Sequence, residues 1–205
     1  MPRLLPSMPP QIAALPQDRG FPVPWVADWS GNTETIALDP QDGRILACDC
    51  VPGRGRAMLG VNCAVRQRQG MRERLCGTCG TPITGHLTMI GTPDMPYSLE
   101  PALHIDCALF SLLACPRLTR GSERVGVVVM DGYTLLEDRI LGVNHDRSLI
   151  RTILPPALGF VSGGVLDFLV AVIPGTAQRF HATEWLDANR HAATTPSPAS
   201  TEGHA

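Results

Sequence analysis

Arg74-Leu-Cys-Gly-Thr-Cys-Gly80 and Glu100-Pro-Ala-Leu-His-Ile-Asp-Cys107 decide how the middle of this chain is read. They set Cys76 and Cys79 as a Cys-x-x-Cys pair, and His104 and Cys107 as a His-x-x-Cys pair. Three thiolates and one imidazole suit a tetrahedral zinc ion, with Zn–S about 2.3 Å and Zn–N about 2.0–2.1 Å. Four protein donors leave no position for substrate or water, so the pattern predicts a structural zinc rather than a catalytic one. The competing reading is a redox pair at Cys76 and Cys79 with His104 on the surface. A thioredoxin-like pair follows a strand and opens a helix. Here Gly80-Thr81-Pro82, a turn, follows Cys79.

Around those ligands the local signals are ordered. The glycines of Cys76–Gly80 permit a tight turn whose amides face the sulfurs. Thr81 to Thr92 reads as a β-hairpin: Pro82-Ile83, a turn near Gly85, then Leu87 to Ile90. Glu100-Pro101 predicts a helix running to about Ala114, since Pro at the first helical position loses no hydrogen bond, and Cys115-Pro116 ends it. His104 and Cys107 are three apart and share a face of that helix. A knuckle, a hairpin and a helix carrying the second ligand pair form the layout of a treble-clef zinc finger, at about residues 74–118.

The flanking segments predict an α+β fold, with this treble-clef-like module packed against a small, mainly antiparallel sheet. Residues 1–19 are Pro-rich and read as disordered, residues 20–190 as a single domain, and residues 191–205 as a disordered tail. Phe21-Pro-Val-Pro-Trp25 reads as an extended segment docking on the core through Phe21, Trp25 and Trp29. Asp39-Pro-Gln-Asp-Gly43 is a turn cluster, followed by a strand over Arg44–Cys48 and a loop at Pro52–Arg56. Ala57 to Arg74 reads as partly helical. Val125–Met130 and Val165–Ile173 are apolar, β-branched runs that predict buried strands. Asp131-Gly132 would return Tyr133–Leu136 as a hairpin, and Thr183–Arg190 reads as a terminal helix.

Composition excludes more than it identifies. In 205 residues, 44% are hydrophobic, 18% charged and only 5% aromatic, which fits a soluble domain with an aliphatic core. The net charge of -2 gives no whole-protein case for nucleic acid or an anionic membrane. All 17 basic residues are arginine, a composition typical of GC-rich genomes. Seven cysteines, an odd number, argue against a disulfide framework. Five prolines between Pro2 and Pro16 interrupt any signal-peptide core, and Val165–Ile173 contains Asp167 and is too short to span a bilayer. The expected location is cytoplasmic, where clustered cysteines more often mean metal than disulfide.

Several of these pieces, in order, are Arg19-Gly-Phe-Pro-Val-Pro-Trp25, Arg74–Gly80, Glu100–Cys107 and Ala114-Cys-Pro-Arg-Leu118. The combination resembles an uncharacterised family of small phage-encoded and bacterial proteins, including actinobacterial ones. The resemblance covers roughly Arg19 to Leu118, departs from the family pattern between Thr81 and Tyr97, and is weak after Leu118. It implies a zinc-binding module and no assigned activity.

The remaining features are weaker. Arg54, Arg56, Arg66, Arg68, Arg72 and Arg74 cluster against one acidic residue, Glu73. They mark a candidate phosphate-contacting face, with a solvated stretch as the bland alternative, and no aromatics interleave them for base stacking. Cys48, Cys50, Cys63 and Cys115 read as small buried hydrophobes rather than a second site, since Cys-x-Cys is unusual spacing for one zinc. His86 evokes ββα-metal nucleases, but those need a second helix ligand and an open metal position. The zinc-deaminase signature is absent, as are a P-loop, a Gly-x-Gly-x-x-Gly motif and a nucleophile elbow, so no small-molecule cofactor is indicated. The expected function is a zinc-stabilised binding or adaptor protein, with nucleic acid or a protein as partner. The alternative is an enzyme whose site lies in the C-terminal half near His145, Asp146 and Arg147.

Overall fold

The computed structural model describes residues 8–120, 124–140, 142–143, 149–150 and 164–189. The expected tail from residue 191, and His145, Asp146 and Arg147, lie outside them. The architecture is α+β. Its elements begin with α1 (Pro10–Ala13), β1 (Gln17–Asp18), β2 (Phe21–Pro22), β3 (Ala27–Trp29), β4 (Glu34–Asp39), β5 (Gly43–Cys48), β6 (Ala57–Asn62) and α2 (Ala64–Glu73). They continue with β7 (Leu87–Gly91), β8 (Tyr97–Ser98), α3 (Ile105–Ala114), α4 (Pro116–Arg120), β9 (Gly126–Met130) and β10 (Thr134–Ile140). The last are β11 (Gly142–Val143), β12 (Leu149–Ile150), β13 (Val165–Val172), β14 (Gln178–His181) and α5 (Ala182–Asn189). No helix among the described residues is long and apolar enough to cross a membrane.

Two sheets organise the core. One runs β10-β13-β5-β4, with β8 also on β13; the other runs β14-β9-β7. Pairing is mainly antiparallel: the second sheet is wholly so, and the first is mixed because β13 meets β5 in parallel at Leu166 and Ile45. The β4–β5 hairpin follows from its turn chemistry: Asp39 Oδ1 accepts from the amides of Gln41 (2.8 Å) and Asp42 (3.0 Å), an Asx turn that needs no other partner. In β9, neighbouring Val127 and Val128 are both fully buried. Val127 packs with Leu109, Leu112 and Trp185 from α3 and α5, while Val128 packs with Met71, Met89 and Leu169. A strand covered on both faces has no reason to alternate, and the continuous apolar run reflects that.

Several expectations change once tertiary pairing is considered. Residues 8–19 are not disordered: Ile12 of α1 is fully buried against Cys76, Cys79, Cys107 and Phe110. Pro10 at the first turn is pre-organised for that short helix. The helix expected from Ala57 begins only at Ala64, after a strand whose Gly60 has φ +88°, outside the helical region. The hairpin expected over residues 81–92 does not form, because β7 pairs with β9 along its whole length. Tyr133–Leu136 likewise does not return on β9; β10 pairs with β13. The expected helix start at Pro101 moves to Ile105, since the backbone before it is already claimed. Ala102 accepts from Gly77 N (2.9 Å), and Leu103 exchanges bonds with Thr88 (2.7 and 3.1 Å).

The interior of α2 is held by polar side chains reaching across to β13 and β5. Gln67, fully buried, donates to the carbonyls of Leu99 and Leu169 (both 2.7 Å) and accepts from Leu169 N (3.0 Å). Arg68, also buried, donates to the carbonyls of Leu46 (2.7 Å) and Asp167 (2.6 Å). Burial pushes the Arg68 guanidinium pKa down, and the Asp167 charge opposes that. Gln67→Met keeps the volume but strands backbone groups in the interior, each costing about 1–3 kcal/mol. Chemical denaturation should show a loss of about 2–4 kcal/mol; stability within about 0.5 kcal/mol of wild type would contradict this account of the helix.

Candidate metal centre

Cys76 and Cys79 sit on a turn that follows α2 directly, and His104 and Cys107 on the first turn of α3. Arg74, in the left-handed region at φ +53°, stops α2 and swings the chain into the knuckle. The Cys76 amide donates to Thr81 O (2.9 Å) and the Gly80 amide to Cys76 O (2.7 Å), so the turn closes on itself. Gly80 is required by two constraints at once. Its φ is +76°, and a Cβ there would stand 2.6 Å from the Trp25 indole. Trp25 is clamped from the other side, its amide donating to Thr78 O (2.8 Å) while Val26 N donates to Gly77 O (3.0 Å). Trp25 thus docks on the knuckle itself, whereas Phe21, expected to dock with it, is exposed.

The four donor atoms all lie within 4.8 Å of one another. Tetrahedral bonds of about 2.3 Å to sulfur and 2.0–2.1 Å to nitrogen put neighbouring donors about 3.5–3.8 Å apart. His104 Nδ1 lies 3.4 Å from Cys79 Sγ and 3.9 Å from Cys107 Sγ, which brackets that spacing. The ring is oriented from behind: His104 Nε2 is 3.1 Å from the Pro82 carbonyl. A carbonyl only accepts, so Nε2 carries the proton and Nδ1 presents its lone pair to the thiols. Such an outer hydrogen bond fixes tautomer and orientation in metal sites. Cys76 and Cys107 are fully buried. The Cys107 thiol donating to Cys76, with the amides of Cys79, His104 and Thr78, holds the Cys76 pKa down at about 5 against the opposing push of burial. The same contact, with burial, pushes the Cys107 thiol up. Thr81 Oγ1 lies 3.2 Å from Cys79 Sγ. The donor set and spacing fit a thiophilic ion of tetrahedral preference.

The other cysteines do not all behave as small hydrophobes. Cys48, Cys50 and Cys63 bring their sulfurs together in a second cluster, and Cys48 and Cys50 are only half-buried. Cys115 stays apart as the last residue of the α3 cap. Nothing in the Cys-x-Cys spacing announces that cluster, because β6 brings Cys63 back from the far side of a loop.

The arginine cluster is broken up by the fold. Arg68 is buried and cannot contact a phosphate. Arg66 donates to the carbonyls of Trp25 (2.8 Å) and Cys50 (2.7 Å) and lies 6.0 Å from the Trp25 ring centroid. Arg54 pairs with Asp49, and Arg72 with Asp42 at 2.7 Å. Arg74 reaches Asp131 O at 3.5 Å, and Arg56 is exposed. Sequence proximity of charge did not reveal these partners because Asp42 and the accepting carbonyls come from other elements, and Asp49 precedes the cluster in the same loop as Arg54. His86 is exposed and bonds through Nδ1 to Asp131 Oδ1 (2.7 Å), away from the four-ligand cluster.

Comparison with protein-family models, curated proteins and solved structures finds no match to this chain. Gly80→Ala should destabilise the protein by about 2–4 kcal/mol, from left-handed strain plus overpacking on Trp25. Denaturant titration of the metal-replete protein checks this, and an unchanged midpoint would remove Gly80 and Trp25 from the account of the knuckle.

Proposed function

We propose that this chain is a zinc-stabilised binding protein and that the ion held by Cys76, Cys79, His104 and Cys107 is structural. One observation carries the reading: four donors from two separate segments converge within 4.8 Å of one another, with the imidazole fixed from behind by Pro82 O. Three thiolates and one imidazole complete zinc's preferred four-coordination and leave no position for a substrate. The first ligand pair on a knuckle and the second on the opening turn of a helix resemble a treble clef. Here the strand that follows the knuckle is β7, which joins β9 rather than folding back on residues 81–84. The zinc site contributes to folding because the unfolded chain does not preform it.

A protein partner fits better than nucleic acid. Phosphate contacts dominate nucleic-acid affinity. Of the six arginines in the candidate face, two are engaged with backbone carbonyls and two with carboxylates. That leaves Arg56 and Arg74 as the main outward charges, little for a phosphate-contacting face. The expected result is therefore weak retention on single-stranded DNA or RNA even at low salt. Tight binding that falls steeply with salt would reverse the choice of partner.

The structural role of the ion has its own test. Cys107→Ser should lose one equivalent of zinc by metal analysis. Loss of even about 4 kcal/mol would lower Tm by about 8–16 °C in a protein of this size. A variant that lacks that zinc equivalent yet melts with wild type would overturn the reading.

A further inference from the structure

We propose that Cys48, Cys50 and Cys63 form a second, coordinatively open site for a thiophilic divalent ion, distinct from the four-ligand centre. Their three sulfurs lie within 4.8 Å of one another, although they come from the end of β5, the loop after it and the residue preceding α2. Three features point to ion binding rather than chance proximity of buried thiols.

First, the backbone is arranged around sulfur. Cys50 sits in the left-handed region at φ +46°, a conformation a side chain rarely adopts. It turns the Cys50 amide back onto Cys48 Sγ at 3.1 Å. Cys63 is the N-cap residue of α2, a ten-residue helix, with its sulfur 2.8 Å from that of Cys50. Second, a cation adjoins the cluster. Arg66 donates to Cys50 O at 2.7 Å, next to what would become a net-negative group of three thiolates around a divalent ion. Third, the set has three members. The Cys50 and Cys63 sulfurs are 2.8 Å apart, so a disulfide between them is the rival outcome. It would consume two sulfurs and leave the Cys48 thiol as a third donor within 4.8 Å of both.

Three protein donors leave one of four tetrahedral positions open, and two of the three cysteines are half-buried rather than sealed. The ion is therefore exchangeable and its fourth ligand is water or a donor from outside the chain. Binding replaces three S–H protons by one divalent ion, with release of up to three protons and no change in oxidation state.

The test uses the full chain, reduced and stripped of metal under anaerobic conditions, titrated with Cd(II). Thiolate-to-cadmium absorbance is the readout, against a variant carrying Cys48→Ala, Cys50→Ala and Cys63→Ala. Wild type should saturate at two cadmium ions per chain, with about twice the absorbance of the variant, which saturates at one. The second ion should also be stripped first by a chelator. The difference between the two proteins reads this site whether or not the four-ligand centre behaves as proposed. If the triple variant does not fold, Cys48→Ser, at the half-buried end of β5, replaces it, and loss of one thiolate's share of absorbance is expected. Identical titrations of wild type and variant would overturn the site. So would recovery of Cys50 and Cys63 joined in a disulfide that, once reduced, takes up no second cadmium.

Discussion

The convergence of residues 76–79 with residues 104–107 is the constraint on which the rest of the molecule depends. Neither segment has an intrinsic reason to approach the other, since the chain between them runs out through β7 and β8 into two different sheets. Four metal-ligand bonds would overcome the loop entropy of that closure. Once closed, the centre organises its surroundings. Trp25 and Val26 bond to the knuckle, Gly77 bonds to Ala102, Leu103 locks to Thr88, and Ile12 seals the sulfurs from the N-terminal side. The late start of α3 follows from the same closure, because His104 must stay extended (ψ 154°) to turn its ring toward Cys79.

α2 connects this centre to the main sheet. At about 1.5 Å per residue its ten residues span about 15 Å, with Cys63 before its first turn and Cys76 two residues beyond its cap. Its buried face is unusually polar for a core helix, and each of those polar groups is matched to a named carbonyl or amide of β13 or β5 or of the residue after β8. Such matching is costly to break and fixes one arrangement of helix on sheet. The helix thereby holds the cysteines at its two ends in a fixed relation to β5 and β13.

Much of the candidate centre was legible in the sequence and much of the fold was not, for one physical reason. The ligands are local pairs with characteristic spacing, so Cys76, Cys79, His104 and Cys107 could be picked out before any tertiary contact was known. The β4–β5 turn, the buried runs at β9 and β13 and the α3 stop at Cys115 were also written in local signals. Strand partners were not: β7 and β10 each follow a turn that suggests a hairpin, yet each pairs with a strand distant in sequence. The arginines failed as a surface for the same reason. Nothing local distinguishes Arg68, whose acceptors lie on β5 and β13, from Arg72, which stays at the surface.

The most direct test of the central claim is amide hydrogen exchange of the metal-replete chain before and after chelation. If the four-ligand ion holds the segments together, protection should be lost as a unit at Trp25, Val26, Gly77, Thr88 and Leu103, whose amides close the contacts around the knuckle. Undiminished protection at those amides after the metal has been removed would contradict it.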